Sequence, residues 1–192
     1  MLRQALTKIE TGNRTQVASM NGTFAAIPPD GRILYFGRDR VSFRFLSHFY
    51  PSPIVIDGET WPTVEHYFQA QRSDDPAYRA AIRAAETPGQ AKRLAASPDW
   101  PRRRSQQSWF RKHGARPRAD WSDVKLKIME RADWEKFSQH RPLAEMLLAT
   151  HSAELIEDSP VDSFWGLGPD GRGHNWAGRI LMEIRMRLRA NA

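Results

Sequence analysis

The chain has 192 residues, 40% of them hydrophobic, with seven Trp and nine Phe, enough apolar material for one globular domain with a real core and too much for a disordered chain. Cysteine is absent, which excludes disulfides, thiolate catalysis and Cys-ligated zinc, and 29 Lys and Arg against 22 Asp and Glu leave a net charge of +7. The six His lack metal-binding spacing, no apolar run approaches a membrane span, and residues 1–20 are polar; the expectation is a cytoplasmic protein with no metal and no cofactor.

Residues 1–30 read as a polar leader, closed by Ile27-Pro28-Pro29-Asp30-Gly31, ahead of a domain over 31–192. Strands are predicted at 32–36, 41–45 and 53–56, each rich in Ile, Leu, Val or Phe. Asp57-Gly58 is a turn dipeptide, and a helix is predicted from Pro62 to Arg72, since Pro is well tolerated in a helix's first turn. Residues three and four apart share a helix face, so Glu65, Gln69 and Arg72 project together. That face suits a polar ligand; it also fits a solvated surface with Glu65 turned toward Arg72.

Helices follow at 76–85 and 89–96, the second opened by Thr87-Pro88 and ended by Ser97-Pro98. Residues 99–118 read as a basic loop in which Arg102, Arg103, Arg104, Arg111, Lys112, Arg116 and Arg118 alternate with Gln106, Gln107, Trp109, Phe110 and His113. Such a segment binds nucleic acid through phosphates and base stacking, or is a solvated loop, or supplies one Arg to a small phosphate. A helix capped by the Asp120 side chain runs to about Phe137, another from Pro142 to Thr150, a strand covers 154–157, and a last helix spans Asn175 to Arg189. The pattern gives an α+β fold, a mostly helical single domain with a small β-sheet.

Four glycines, at 166, 168, 171 and 173, fall just before the last helix. Glycine lets a backbone approach a ligand, and a helix N-terminus offers N–H groups to phosphate. The spacing is neither a P-loop nor a dinucleotide fingerprint, and a plain flexible turn explains it equally.

In order, Leu46 to Ile54; Asp57-Gly58 with Trp61 to Ala70; Asp120 to Lys125 with Met129; and Asp162, Phe164-Trp165-Gly166, Gly173, Asn175, Gly178 and Leu181 to Arg185 resemble the YbiA-like NADAR family, over about Leu34 to Arg189. The resemblance implies cleavage of an N-glycosidic bond, with ADP-ribosylated guanine or riboflavin-pathway ribosylamino-pyrimidine phosphates as substrates. It marks Ser47, Phe49, Gln69, Arg72, Trp121, Trp165, Gly166, Gly168, Gly173 and Asn175 as substrate-binding positions. One departure stands out: where many sequences of this kind carry Lys, this chain has Arg72, whose guanidinium stays protonated and cannot act as a nucleophile.

Breaking a sugar–nitrogen bond develops positive charge at the anomeric carbon, which a carboxylate stabilises. Glu65 and Asp162 are the best-placed carboxylates, since both lie in the matched motifs; otherwise Glu65 is a helix N-terminal charge and Asp162 closes an Asx-turn. Trp121 offers a flat face to a base or fills the core. Lys125, one turn on, either attacks C1′ as a neutral amine or pairs with Asp123 or Glu130. Three functions fit: an N-glycosidase, a non-catalytic ADP-ribose or nucleotide-binding module, and a nucleic-acid-binding protein using Arg102 to Arg118.

Overall fold

A computed structural model describes residues 16–18, 24–26, 31–35 and 41–191. In chain order these form β1 (Gln16–Ala18), β2 (Phe24–Ala26), β3 (Arg32–Tyr35), a 3-10 helix η1 (Val41–Leu46), β4 (Ile54–Ile56), β5 (Glu59–Trp61), α1 (Val64–Ala70), α2 (Pro76–Arg83), α3 (Pro88–Leu94), α4 (Arg102–Ser105), α5 (Trp109–His113), α6 (Trp121–Gln139), α7 (Arg141–Leu148), β6 (Glu154–Glu157) and α8 (Trp176–Ala190). The chain is α+β and mostly helical, with small sheets, as its sequence implies. No helix among the described residues is long and apolar enough to cross a membrane. The described residues group into two compact units, one holding those before His48 and those from His140 onward, the other His48–Gln139.

In the second unit, β4 and β5 form an antiparallel hairpin pairing Ile54 with Trp61 and Ile56 with Glu59. Both turn residues have positive φ, +53° at Asp57 and +79° at Gly58, the type I′ geometry that matches strand twist and that Asp-Gly favours. The Asp57 carboxylate takes two hydrogen bonds from the Arg131 guanidinium, which hold it below the usual carboxylate range. The helix that follows starts at Val64 rather than Pro62. Thr63 is extended and its hydroxyl accepts from the His66 N–H, so the hydroxyl cap, the residue just after the proline, sets the boundary. Asp75 and Thr87 cap α2 and α3 in the same way, each followed by proline.

Three further expectations are corrected. Residues 41–45, Val-Ser-Phe-Arg-Phe, were expected as a strand because they are rich in Val and Phe, but they form η1. The 3-10 turn brings Phe43 and Leu46, three apart, to the interior, with Phe45 also buried; an apolar stretch this short does not distinguish the two conformations. The basic loop expected at 99–118 contains α4 and α5. Asp120 was expected to cap α6 with its side chain, but that carboxylate is held by Arg118 at 2.6 and 2.9 Å, and it is the Asp120 carbonyl that accepts from Asp123 and Val124. The leader expected over 1–30 lies outside the described residues except for β1 and β2, which pair antiparallel, Gln16 with Ala26. Phe36, expected to end a strand, also lies outside them.

In the first unit, β3 pairs parallel with β6, Ile33 opposite Leu155, and α8 lies on β6. Its contact is backbone on backbone: a Cβ on Gly178 would stand 2.0 Å from the Leu155 carbonyl oxygen and 2.6 Å from Asn175 Nδ2. Further along α8, the buried Arg185 donates to Thr150 Oγ1 at 2.6 Å and to the Ala153 carbonyl at 2.9 Å. Gly178→Ala should therefore destabilise the protein by about 2 kcal/mol, the overpacking penalty outweighing alanine's better helix propensity. Urea unfolding measures it; a variant as stable as the parent would mean that α8 can move off β6 at no cost.

Candidate active site

All seven residues of α1 are buried, although three are polar. Glu65 is 4% exposed and Gln69 5%. Gln69 Nε2 donates to Glu65 Oε1 at 2.9 Å, one helical turn away. That bond fixes the amide's orientation, because a carboxylate only accepts. Gln69 Oε1 is then a buried acceptor with no hydrogen-bond partner among the described residues.

Two residues past α1, Arg72 lies with its guanidinium 5.1 Å from the centre of the Trp121 ring. Its Nε is buried and likewise has no hydrogen-bond partner among the described residues. Burial lowers its pKa, which Tyr78 and the Glu65 charge oppose; a guanidinium nevertheless remains a cation. Tyr78 donates its hydroxyl to the Gln69 carbonyl at 2.8 Å, and burial pushes that hydroxyl's pKa up. Trp121 packs on Phe68 of α1 with ring centres 4.9 Å apart. The structure thus brings Glu65, Gln69, Arg72 and Trp121 together: a carboxylate, an unpartnered amide oxygen, a guanidinium and an indole face.

The other expected residues of this unit lie around that set. Lys125 is partly exposed on α6, one turn after Trp121, and Met129, one turn further, is buried. Phe49 is 41% exposed, with Lys92 Nζ 5.9 Å from its ring.

In the first unit, Ser47 donates its N–H to the Arg44 carbonyl at the end of η1. Asp162 forms the Asx-turn: its Oδ1 accepts from the N–H groups of Phe164 and Trp165 at 3.0 and 2.9 Å. The N–H groups around Asn175, expected to face a phosphate, are turned inward. Those of His174, Asn175, Trp176 and Ala177 donate to the carbonyls of Ser163, Gly166, Phe164 and Trp165. The glycines serve this closure, since a Cβ on Gly166 would stand 2.4 Å from the Glu157 oxygen and one on Gly173 2.3 Å from the Gly166 oxygen. Gly168 has φ +69° and packs its α-carbon on Ser163. Asn175, in the left-handed region, uses its side-chain amide as a strand would: Oδ1 accepts from Glu157 N at 3.0 Å and Nδ2 donates to Leu155 O at 2.9 Å.

Sequence reasoning missed two groups in the second unit. His66 lies on α1, with Nε2 3.1 Å from the Ala85 carbonyl and Nδ1 2.8 Å from the Thr63 hydroxyl. A carbonyl only accepts, so Nε2 carries the proton and Nδ1 accepts from Thr63. On α6, Asp133 and Lys136 are both fully buried. Asp133 Oδ2 lies 3.0 Å from His48 Nε2. Lys136 sits over the Tyr50 and Phe137 rings, and burial lowers its pKa to about 8, with the Asp133 charge opposing. The spacing i, i+3 put Asp133 and Lys136 on one face, but α6 is charged all round, so nothing local marked that face as buried.

Residues 34–189 match the NADAR domain. The chain belongs to the NADAR family. The N-glycosidase YbiA of Escherichia coli K12 is 40% identical over 142 residues, covering 74% of this chain and 79% of that one. A riboflavin biosynthesis protein of Vibrio vulnificus is 41% identical over 159 residues; the match takes in 83% of this chain but only 39% of the Vibrio protein. The NMR structure of E. coli YbiA superposes with a TM-score of 0.68 at 36% identity, covering 83% of this chain and 85% of that one.

Burial lowers the pKa of His66 below its ordinary value of 6.5. The folded protein keeps the ring neutral where the unfolded chain binds a proton, so its contribution to stability is intact above about pH 6.5 and is lost as pH falls toward the depressed value. Between about pH 7 and pH 5 the parent protein should lose more unfolding free energy than His66→Gln, whose side chain does not titrate. Identical pH slopes in denaturant titrations would mean that His66 is not held neutral.

Proposed function

We propose that this chain is an N-glycosidase that removes ADP-ribose from ADP-ribosylated guanine. The observation that carries the reading is the set on α1 and α6: Glu65 and Gln69 buried and bonded to each other, with Arg72 and Trp121 beside them. The name N-glycosidase borne by the E. coli relative supports the reaction class. The name of the Vibrio relative supports a second substrate, a ribosylamino-pyrimidine phosphate of the riboflavin pathway. The chemistry of the two is close: guanine and that pyrimidine share an amino-oxo-pyrimidine edge with N–H donors and a carbonyl acceptor. Glu65 and Gln69 Oε1 accept, which complements the N–H donors of that edge.

In this reading the base stacks on Trp121 and Glu65 stabilises positive charge as it grows at C1′. Lys125 attacks C1′. The C1′–N bond breaks, and the base leaves with the electron pair and takes up a proton. The ribosylamine then opens to an imine, and water hydrolyses the imine, returning the amine and the free sugar. Asp162, whose Oδ1 already holds two backbone N–H groups, serves the loop that carries Trp165. Arg72 clamps a phosphate or carboxylate, for which its fork is well shaped.

The deciding experiment incubates the protein with ADP-ribosylated guanine DNA, and separately with the ribosylamino-pyrimidine phosphate, and follows products by mass spectrometry. Free ADP-ribose is expected from the first. Binding of both substrates without any product would make the protein a nucleotide-binding module. Glu65→Gln keeps the acceptor for Gln69 but removes the charge, so turnover should fall about a hundredfold at unchanged melting temperature; unchanged turnover removes Glu65 from the reaction. Borohydride added during turnover should fix the sugar on a peptide containing Lys125, and Lys125→Arg should abolish both trapping and turnover. An adduct on Lys136 instead would mean that the site opens onto the buried lysine.

A further inference from the structure

Residues 97–118 are tied down at several points. Ser105 and Phe110 are fully buried and Ser108 nearly so. Ser105 Oγ donates to the Trp100 carbonyl at 3.0 Å and Ser108 Oγ to the Ala96 carbonyl at 2.6 Å, while Ser108 also caps α5. Arg111 donates to the carbonyls of Pro98 and Trp100 at 2.7 and 3.2 Å. The module is joined to the candidate site: Phe110 packs on Tyr78 with ring centres 4.7 Å apart, and the Arg118 N–H donates to the Arg72 carbonyl at 2.8 Å.

What the module presents outward is charge. Seven Lys or Arg stand between residues 99 and 120 against two carboxylates, Asp99 and Asp120. Those two pair with Arg116 and Arg118, each at 2.6 Å. Arg102, Arg103, Arg104 and Lys112 are exposed, and no carboxylate among the described residues pairs with them. Three consecutive arginines on one helical turn repel one another, which a rigid scaffold tolerates and a polyanion relieves. Beside them Trp100 is 45% exposed.

We propose that this face binds the phosphate backbone of single-stranded nucleic acid, with Trp100 stacked on a base. A duplex hides its base faces; a single strand offers them, and the pairing of arginines with an exposed indole suits it. The inference deepens the proposed function and rests on it in one respect: the strand held here would be the one that carries the ADP-ribosylated base to α1.

The test is fluorescence anisotropy of a labelled, unmodified oligodeoxythymidylate of about 15 nucleotides, titrated with the full chain across a salt series. Four phosphate contacts give a slope of log affinity on log salt of about −3. The triple variant Arg102→Ser, Arg103→Ser, Arg104→Ser should flatten the slope by about 2, and Trp100→Ala should weaken binding about tenfold with the slope unchanged. A triple variant with the parent's slope overturns the inference, as does competition by polyglutamate as strong as by the oligonucleotide, which would make the face a general polyanion site. Turnover of free ADP-ribosylated guanosine is measured on the same variants. It should stay at the parent's rate in the triple variant, which also reports an intact fold. Parent protein that binds the strand but never releases ADP-ribose would count against the proposed function and leave the strand-binding face standing.

Discussion

Glu65, His66 and Gln69 lie inside the protein on a helix buried at every position. A buried polar group left without a partner costs about 1–3 kcal/mol. Much of the second unit is arranged around meeting that demand. Thr63 and Ala85 hold the His66 ring, Glu65 takes one amide proton from Gln69, and Tyr78 on α2 satisfies the Gln69 carbonyl. These bonds lock α1 to α2 and to the segment before α3, and they leave one face unfinished. Gln69 Oε1 and Arg72 Nε stay buried without hydrogen-bond partners among the described residues. Unsatisfied groups gathered beside a carboxylate and an indole are where a ligand recovers the most free energy.

The glycine-rich loop of the first unit illustrates how one composition serves two physical purposes. Glycines before a helix suit a phosphate cradle only if the N–H groups there point outward. Here the N–H groups of residues 174–177 all close on carbonyls of residues 163–166. Glycine is needed because carbonyl oxygens occupy the space where side chains would begin. Asn175 then replaces a neighbouring strand for β6 with one side-chain amide, and α8 can settle on the sheet because Gly178 lacks a side chain. The aromatic residues of the loop, Trp165 among them, are presented by this closure.

A chain with no cysteine, and with no group of three or more metal-binding side chains among its described residues, has carboxylates, amines and aromatic faces to work with. The second unit offers two lysines in contrasting settings on α6. Lys125 is partly exposed and near Trp121. Lys136 is sealed beside Asp133, with its pKa lowered to about 8. A buried amine near neutrality is a reservoir of nucleophile; an accessible one is a reagent.

Several features needed only neighbours within a turn of chain, and the sequence by itself determined them. Asp57-Gly58 dictates a type I′ turn because both residues tolerate positive φ. Thr63, Asp75 and Thr87 start helices because their side chains accept the first free N–H groups. The shared face of Glu65 and Gln69 follows from helical spacing, and the NADAR motifs, spread over most of the chain, named the family. Other features depend on partners far away in sequence. The Val and Phe content of 41–45 gave no sign of η1, because the burial of Phe43 and Leu46, not local preference, decided the turn. β3 and β6 are more than a hundred residues apart, and no spacing rule pairs them. The basic segment looked like a loop because Ser105, Ser108 and Phe110, its buried anchors, are unremarkable until Tyr78 and the Ala96 and Trp100 carbonyls are placed beside them. Burial of Asp133 and Lys136, and the inward turn of the glycine loop, were likewise decided by tertiary packing, because desolvation depends on what surrounds a group and spacing along the chain does not record it.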